Sequence, residues 1–118
     1  MIKIISVIGA RPQFIKSAPL SKYFKASKIN EIIIHTGQHY DPEMSKIFFD
    51  QLNIPKEKYN LGINQLSHGA MTGRMIEKIE EILLIEKPDF ILVYGDTNST
   101  LAAAIAAVKH HIKIIHVE

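Results

Sequence analysis

Asp89-Phe90-Ile91-Leu92-Val93-Tyr94-Gly95-Asp96-Thr97-Asn98-Ser99-Thr100 is the stretch that decides the fold. Residues 89–94 (DFILVY) form a short apolar run, rich in β-branched and aromatic residues, which reads as a buried strand. Gly95 closes it, and the alanine-rich residues 98–109 that follow predict a helix, apolar almost all round and therefore mostly buried. Upstream, Ser67 caps the longest helix, which runs to about Glu86 and is ended by Pro88. Its Met71, Met75, Ile79 and Ile82 recur at helical spacing, and Ile76 and Leu83 widen the stripe. Downstream, residues 113–117 (KIIHV) form the last strand.

The same alternation fills the first half of the chain. Residues 2–8 (IKIISVI) are a strand ended by Gly9. Arg11-Pro12 opens a helix to about Ala26, with Pro12 suited to the first turn and Pro19 expected to kink it. Residues 31–36 (EIIIHT) are a second strand, closed by Gly37. Asp41-Pro42-Glu43 starts a helix to about Leu52. Residues 53–65 read as a loop with room for a short strand near residues 59–63. Strands alternating with helices predict an α/β fold, a three-layer doubly wound parallel sheet that is Rossmann-like, in the order 3-2-1-4-5.

Composition bounds what such a domain does. The 118 residues are 47% hydrophobic and 22% charged, as expected of one globular domain. The net charge of +2 carries no basic block, so nothing points to nucleic acid. There is no cysteine, which removes disulfides, thiolate nucleophiles and cysteine metal sites, and leaves the compartment open. No signal peptide and no apolar run long enough to span a bilayer is read, so no membrane partner is expected.

Ligands of doubly wound sheets bind beyond the carboxyl ends of the strands, where the winding reverses. Three segments sit there: residues 9–13, residues 95–100 and His116-Val117-Glu118. Adjacent strands are about 4.8 Å apart, so Asp96 and Glu118 come within one small substrate's width, with Arg11 flanking Asp96 on its other side. Arg11 at a helix N-terminus suits an anion, because a planar cation adds to free backbone N–H groups and the helix dipole. A surface arginine tied to a carboxylate is the plainer reading. Asp96 after a glycine and before a helix is also what an N-cap looks like. Both readings of each residue stand on sequence grounds.

Other chemistries lose weight. The loop G-A-R-P-Q-F at residues 9–14 lacks the second and third glycines of a dinucleotide fingerprint, and no phosphate-binding G-x-x-x-x-G-K-S/T occurs. His35 and His39 straddle a strand end and Gly37 instead of one helix face, so no metal site is expected. His110-His111 falls at a helix C-terminus, where histidines meet the last carbonyls. His116 shares a strand face with Glu118 and is placed to orient it. The Met71/Met75 stripe reads as core.

Taken together, five motifs resemble the non-hydrolysing UDP-N-acetylglucosamine 2-epimerases. They are V-I-G-A-R-P-Q-F-I-K at residues 7–16, H-T-G-Q-H-Y-D at residues 35–41, N-L-G-I at residues 60–63, V-Y-G-D-T-N-S-T at residues 93–100 and the closing H-V-E. The resemblance covers the whole chain in order. It implies the amino-terminal half of a two-domain glycosyltransferase-B arrangement with the active site between the halves. It also implies a cytoplasmic enzyme, homodimeric at full length, that takes a UDP-sugar and needs no cofactor. The implied reaction interconverts UDP-GlcNAc and UDP-ManNAc by anti elimination of UDP, giving 2-acetamidoglucal, and re-addition on the other face.

By that resemblance Asp96 and Glu118 match acids used in proton transfer or positioning at C2. Arg11 matches the arginine on the diphosphate side, Lys16 a supporting basic position, and Gln38 and His39 a pair near the cleft. Ala10 and Gln13 replace the commoner Thr and Glu of a G-T-R-P-E form, which blurs the sugar used but not the reaction type. Residues 40–43 depart from the bacterial pattern, so a regulatory site is not carried over. Alternatives are a hydrolysing relative, an epimerase of a diacetamido-uronic sugar, and a non-catalytic nucleotide-sugar binding module. The ending at Glu118 reads as a truncation, a single domain over residues 1–118 with the second domain absent, and the piece alone is expected to be inactive.

Overall fold

The computed structural model describes residues 1–38, 50–51 and 56–118. Its elements are β1 (Lys3–Ile8), α1 (Arg11–Ala26), β2 (Asn30–His35), β3 (Tyr59–Asn60), α2 (His68–Glu86), β4 (Phe90–Tyr94), α3 (Asn98–Lys109) and β5 (Lys113–Val117). The helix expected from Asp41 lies outside the described residues, apart from Asp50 and Gln51, which are helical. All strand pairs are parallel, in the order β3-β2-β1-β4-β5.

Strand alternation sends side chains to two separate cores. Ile5, Val7, Ile32, Ile34, Ile91 and Val93 pack under Met71, Met75, Ile79 and the alanines of α3. Ile4, Ile8, Ile33, Leu92 and Tyr94 face the other way, onto Phe14 and Phe24 of α1. The three layers of the expected fold are therefore present.

Pro19 does not end α1. Pro19 and Ile15, whose carbonyl loses its partner four residues on, both face solvent, so water can satisfy the freed oxygen. Ser67 holds the N-cap position of α2 but makes no side-chain cap bond. At the other end Lys87 turns left-handed at φ 48° and donates its N–H to the Leu83 carbonyl before Pro88.

Two expectations are corrected. α3 is buried along one side only, through Ser99, Ala102, Ala103, Ala106 and Ala107, while Leu101 is 53% and Val108 58% exposed. The reason is position: α3 packs on α2 and β4, and its far flank lies over β5 at the sheet's edge. His110 does not reach a terminal carbonyl with its ring; its Nε2 lies 2.7 Å from Glu80 of α2.

Near the amino ends of β1 and β4, buried Glu86 gathers charge. Lys58 Nζ lies 2.7 Å and the Tyr59 hydroxyl 2.5 Å from one carboxylate oxygen, and Lys3 Nζ 3.4 Å from the other. The Lys58 ammonium and Tyr59 hydroxyl hold the Glu86 carboxyl down at about 2, against the opposing effect of burial.

Candidate functional site

At the carboxyl edge of the sheet, β1 ends in a loop squeezed from both sides. A Cβ on Gly9 would lie 2.1 Å from Thr36 Oγ1 and 2.6 Å from Ser99 Oγ, so only glycine fits there. β4 ends at Gly95, whose left-handed φ of 66° swings the chain into the turn that carries Asp96. The N-cap of α3 is Thr97, whose hydroxyl accepts the Thr100 N–H at 3.3 Å. This settles the capping question raised by the sequence. Asp96 is left exposed one residue before the cap.

Asp96 lines two cavities at once. The smaller, about 120 Å³, is shared with Ala10, Pro12, Gln13 and Lys16 of the β1–α1 junction. The larger, about 420 Å³, runs between α3 and β5 and is walled by Leu101, Ala104, Ile114 and His116. Lys16 and Asp96, predicted from motifs 80 residues apart, thus face a common space. Arg11 is the first residue of α1, at the same edge.

Glu118 follows β5, where Tyr94 pairs with Val117 and Gly95 N–H donates to the Val117 carbonyl at 2.8 Å. Asp96 and Glu118 therefore lie just beyond the tips of neighbouring strands. Glu118 itself is exposed and lines neither cavity. His116 has a different partner from the one expected: its Nε2 donates to the Gly95 carbonyl at 2.7 Å, which anchors the Asp96 turn instead of orienting Glu118.

Gln38 is already engaged. Its Oε1 accepts from the backbone N–H of Ser99 at 3.1 Å and from the Ser99 hydroxyl at 2.7 Å. Because that hydroxyl spends its hydrogen on Gln38, Thr36 Oγ1 donates to Ser99 Oγ at 2.8 Å, and Thr36 Oγ1 in turn accepts the Gln38 N–H at 3.2 Å. The residue expected to contact substrate also ties β2 to the first turn of α3. His39 lies outside the described residues.

His35, read only as an unsuitable ligand, is buried against Phe14 with ring centroids 5.2 Å apart. Its Nδ1 accepts the Gly37 N–H at 2.9 Å, and burial pushes its pKa down while the charge of Glu57 opposes the shift. Among the described residues no three His, Cys, Asp or Glu side chains converge on a metal position. No helix among them is long and apolar enough to cross a membrane.

The residue that sequence reasoning underrated is Gln13. Buried at 2% exposure, it accepts the N–H groups of Gly9 at 2.8 Å and Ala10 at 2.9 Å through Oε1. Its Nε2 reaches the Tyr94 carbonyl at 2.7 Å, Thr97 Oγ1 at 2.9 Å and Thr100 Oγ1 at 3.2 Å. A signal existed, since glutamine at the third helical position is the residue that reaches back to the N-cap amide.

Fold and edge together define a Rossmann-like domain whose candidate site lies between the ends of β1, β4 and β5. A sequence model of the UDP-N-acetylglucosamine 2-epimerase family matches residues 22–118. The chain belongs to that family. It is 64% identical over 117 residues to a UDP-N-acetylglucosamine 2-epimerase homolog of Methanococcus maripaludis, covering 99% of this chain and 32% of that protein. It is 57% identical to UDP-2,3-diacetamido-2,3-dideoxy-D-glucuronate 2-epimerase of Pseudomonas aeruginosa, covering 99% of this chain and 33% of that protein. The crystal structure of Methanocaldococcus jannaschii UDP-GlcNAc 2-epimerase in complex with UDP-GlcNAc and UDP superposes with a TM-score of 0.95 at 47% identity, over 99% of this chain and 32% of that one. The chain spans about a third of the length of the relatives it matches.

Proposed function

We propose that this chain is the amino-terminal part of an enzyme that interconverts UDP-GlcNAc and UDP-ManNAc. The reaction removes the C2 proton while the C1–oxygen bond breaks and UDP leaves with the electron pair, giving 2-acetamidoglucal. UDP then re-adds at C1 as a proton returns to the opposite face of C2. Atoms and electrons balance with no redox step.

The observation that carries this reading is that Asp96 and Lys16 line one small cavity at the junction of β1 and α1. That arrangement offers a carboxylate for the proton at C2 beside positive charge for the departing diphosphate. Arg11 joins the diphosphate side, Glu118 supplies a second acid one strand over, and Gln38 and His39 border the cleft. A second domain closes the site from the opposite side, in a glycosyltransferase-B arrangement, and the 118 residues alone turn over nothing.

The test is proton NMR of UDP-GlcNAc in deuterated buffer, with the full-length enzyme and with the 118-residue chain. The expected result is UDP-ManNAc carrying deuterium at C2 for the former and no exchange for the latter. Free N-acetylmannosamine accumulating without UDP-ManNAc would move the reading to a hydrolysing enzyme. Turnover by the short chain would overturn the need for a second domain.

A second reading concerns the sugar. Identity is 57% to the diacetamido-glucuronate epimerase, 64% to the UDP-N-acetylglucosamine 2-epimerase homolog and 47% to the crystallised Methanocaldococcus jannaschii enzyme, so identity favours neither sugar. Comparison of kcat/KM on the two nucleotide sugars decides between them.

A further inference from the structure

We infer that Gln13 is a positioning residue, a buried amide latch that fixes the α1 N-terminus against the Asp96 turn and so sets the geometry of the site. This rests on the proposed function only for its kinetic readout. The latch joins two loops 81 to 87 residues apart in sequence through one side chain, with the Tyr94 carbonyl and the two threonine hydroxyls on the β4 side. On the β1 side it takes both Gly9 and Ala10 amides. Between these loops lies the cavity shared by Lys16 and Asp96.

The side chain is matched to its partners at both ends. One end of the side chain faces two N–H donors and must accept. The other end faces a backbone carbonyl at 2.7 Å and must donate. A methionine of similar length does neither. A carboxylate still accepts from the two amides, and its second oxygen can accept from the Thr97 hydroxyl but cannot donate to the Tyr94 carbonyl. Gln13→Glu therefore keeps the β1 side of the latch and gives up the bond to Tyr94.

The helix carrying Arg11 and Lys16 keeps its cations in every variant, so ground-state binding of the diphosphate changes little. Misplacement of Asp96 falls on the chemical step. In the full-length enzyme, Gln13→Met lowers kcat by roughly 10- to 100-fold with KM within about 3-fold, as expected for small displacements of a reacting group. Gln13→Glu, which keeps the two amide bonds, lowers kcat by less, roughly 3- to 10-fold.

Hydrogen exchange of the Gly9 and Ala10 amides in the full-length enzyme provides an arm independent of activity. Both are protected in the unmutated protein and in Gln13→Glu, and exposed in Gln13→Met. If Gln13→Met does not fold, Gln13→Glu decides alone: a lowered kcat with both amides protected supports the latch, and an unchanged kcat overturns it. Unchanged kcat and exchange in Gln13→Met overturn it as well. An unmutated full-length enzyme that turns over no UDP-sugar refutes the proposed function instead, and the exchange arm then still judges the latch.

Discussion

The two ends of this sheet are built from different chemistry. Near the amino ends, one buried carboxylate, Glu86, is held by two lysines and a tyrosine. At the carboxyl edge the ties are neutral and directional: Gln13 to Tyr94, Thr97 and Thr100, and Gln38 to Ser99 and Thr36. Ion pairs tolerate sloppy geometry and satisfy a charge, whereas amide and hydroxyl networks fix distances and leave charge free. The first end spends its carboxylate on stability. The second keeps Asp96 out of its own network and exposed to a cavity.

That contrast predicts a ladder of effects. The largest belongs to Asp96: in the full-length enzyme Asp96→Asn should lower kcat by about 10²-fold or more if it moves the C2 proton. Unchanged thermal unfolding of the same variant would separate chemistry from folding, and a loss below a few-fold would remove the acid from the mechanism. Gly9→Ala comes next, since its Cβ collides with Thr36 and Ser99. It should cost about 2 kcal/mol in urea unfolding, and a neutral outcome would mean the carboxyl edge is looser than its hydrogen bonds suggest.

At the opposite end Glu86→Gln should cost about 1 kcal/mol at neutral pH, because Lys58 is solvent-exposed and the pair is screened. The sign follows from the depressed pKa, about 2 against an ordinary 4.5. The stabilisation is complete above the unfolded value, fades as pH falls below it and is gone below about 2. Denaturation midpoints across that window should converge for the two proteins at the acid end. The smallest effect is expected at Tyr94, whose buried hydroxyl has no hydrogen-bond partner among the described residues. Tyr94→Phe should raise stability by about 0.5 kcal/mol by removing an unsatisfied polar group, read from the same urea curves.

Much of the fold was legible because its signals are local. Residues 11–26, 98–109 and 113–117 form a helix, a helix and a strand with the bounds read from their periodicity and composition. Lys16 and Asp96 line one cavity because β1, which leads into α1, lies beside β4. What misled were features whose meaning depends on a distant partner. Asp96 looks like a cap until Thr97 is seen taking that place. Strand period pairs His116 with Glu118, yet Gly95 in the turn after the neighbouring strand claims it. The apolar residues of α3 read as buried, but burial requires a neighbour on each side of the helix, and the edge of the sheet gives Leu101 and Val108 none among the described residues.

By itself, then, the sequence determined the alternation of elements, the parallel sheet, the edge that carries the candidate site and the family the chain belongs to. These follow from short-range periodicity and turn chemistry. Only the tertiary structure decided which polar groups are spent and which are free. A side chain such as Gln13 or Gln38 has the same local chemistry in any context, and its role is set by acceptors and donors on residues 61 to 87 positions away.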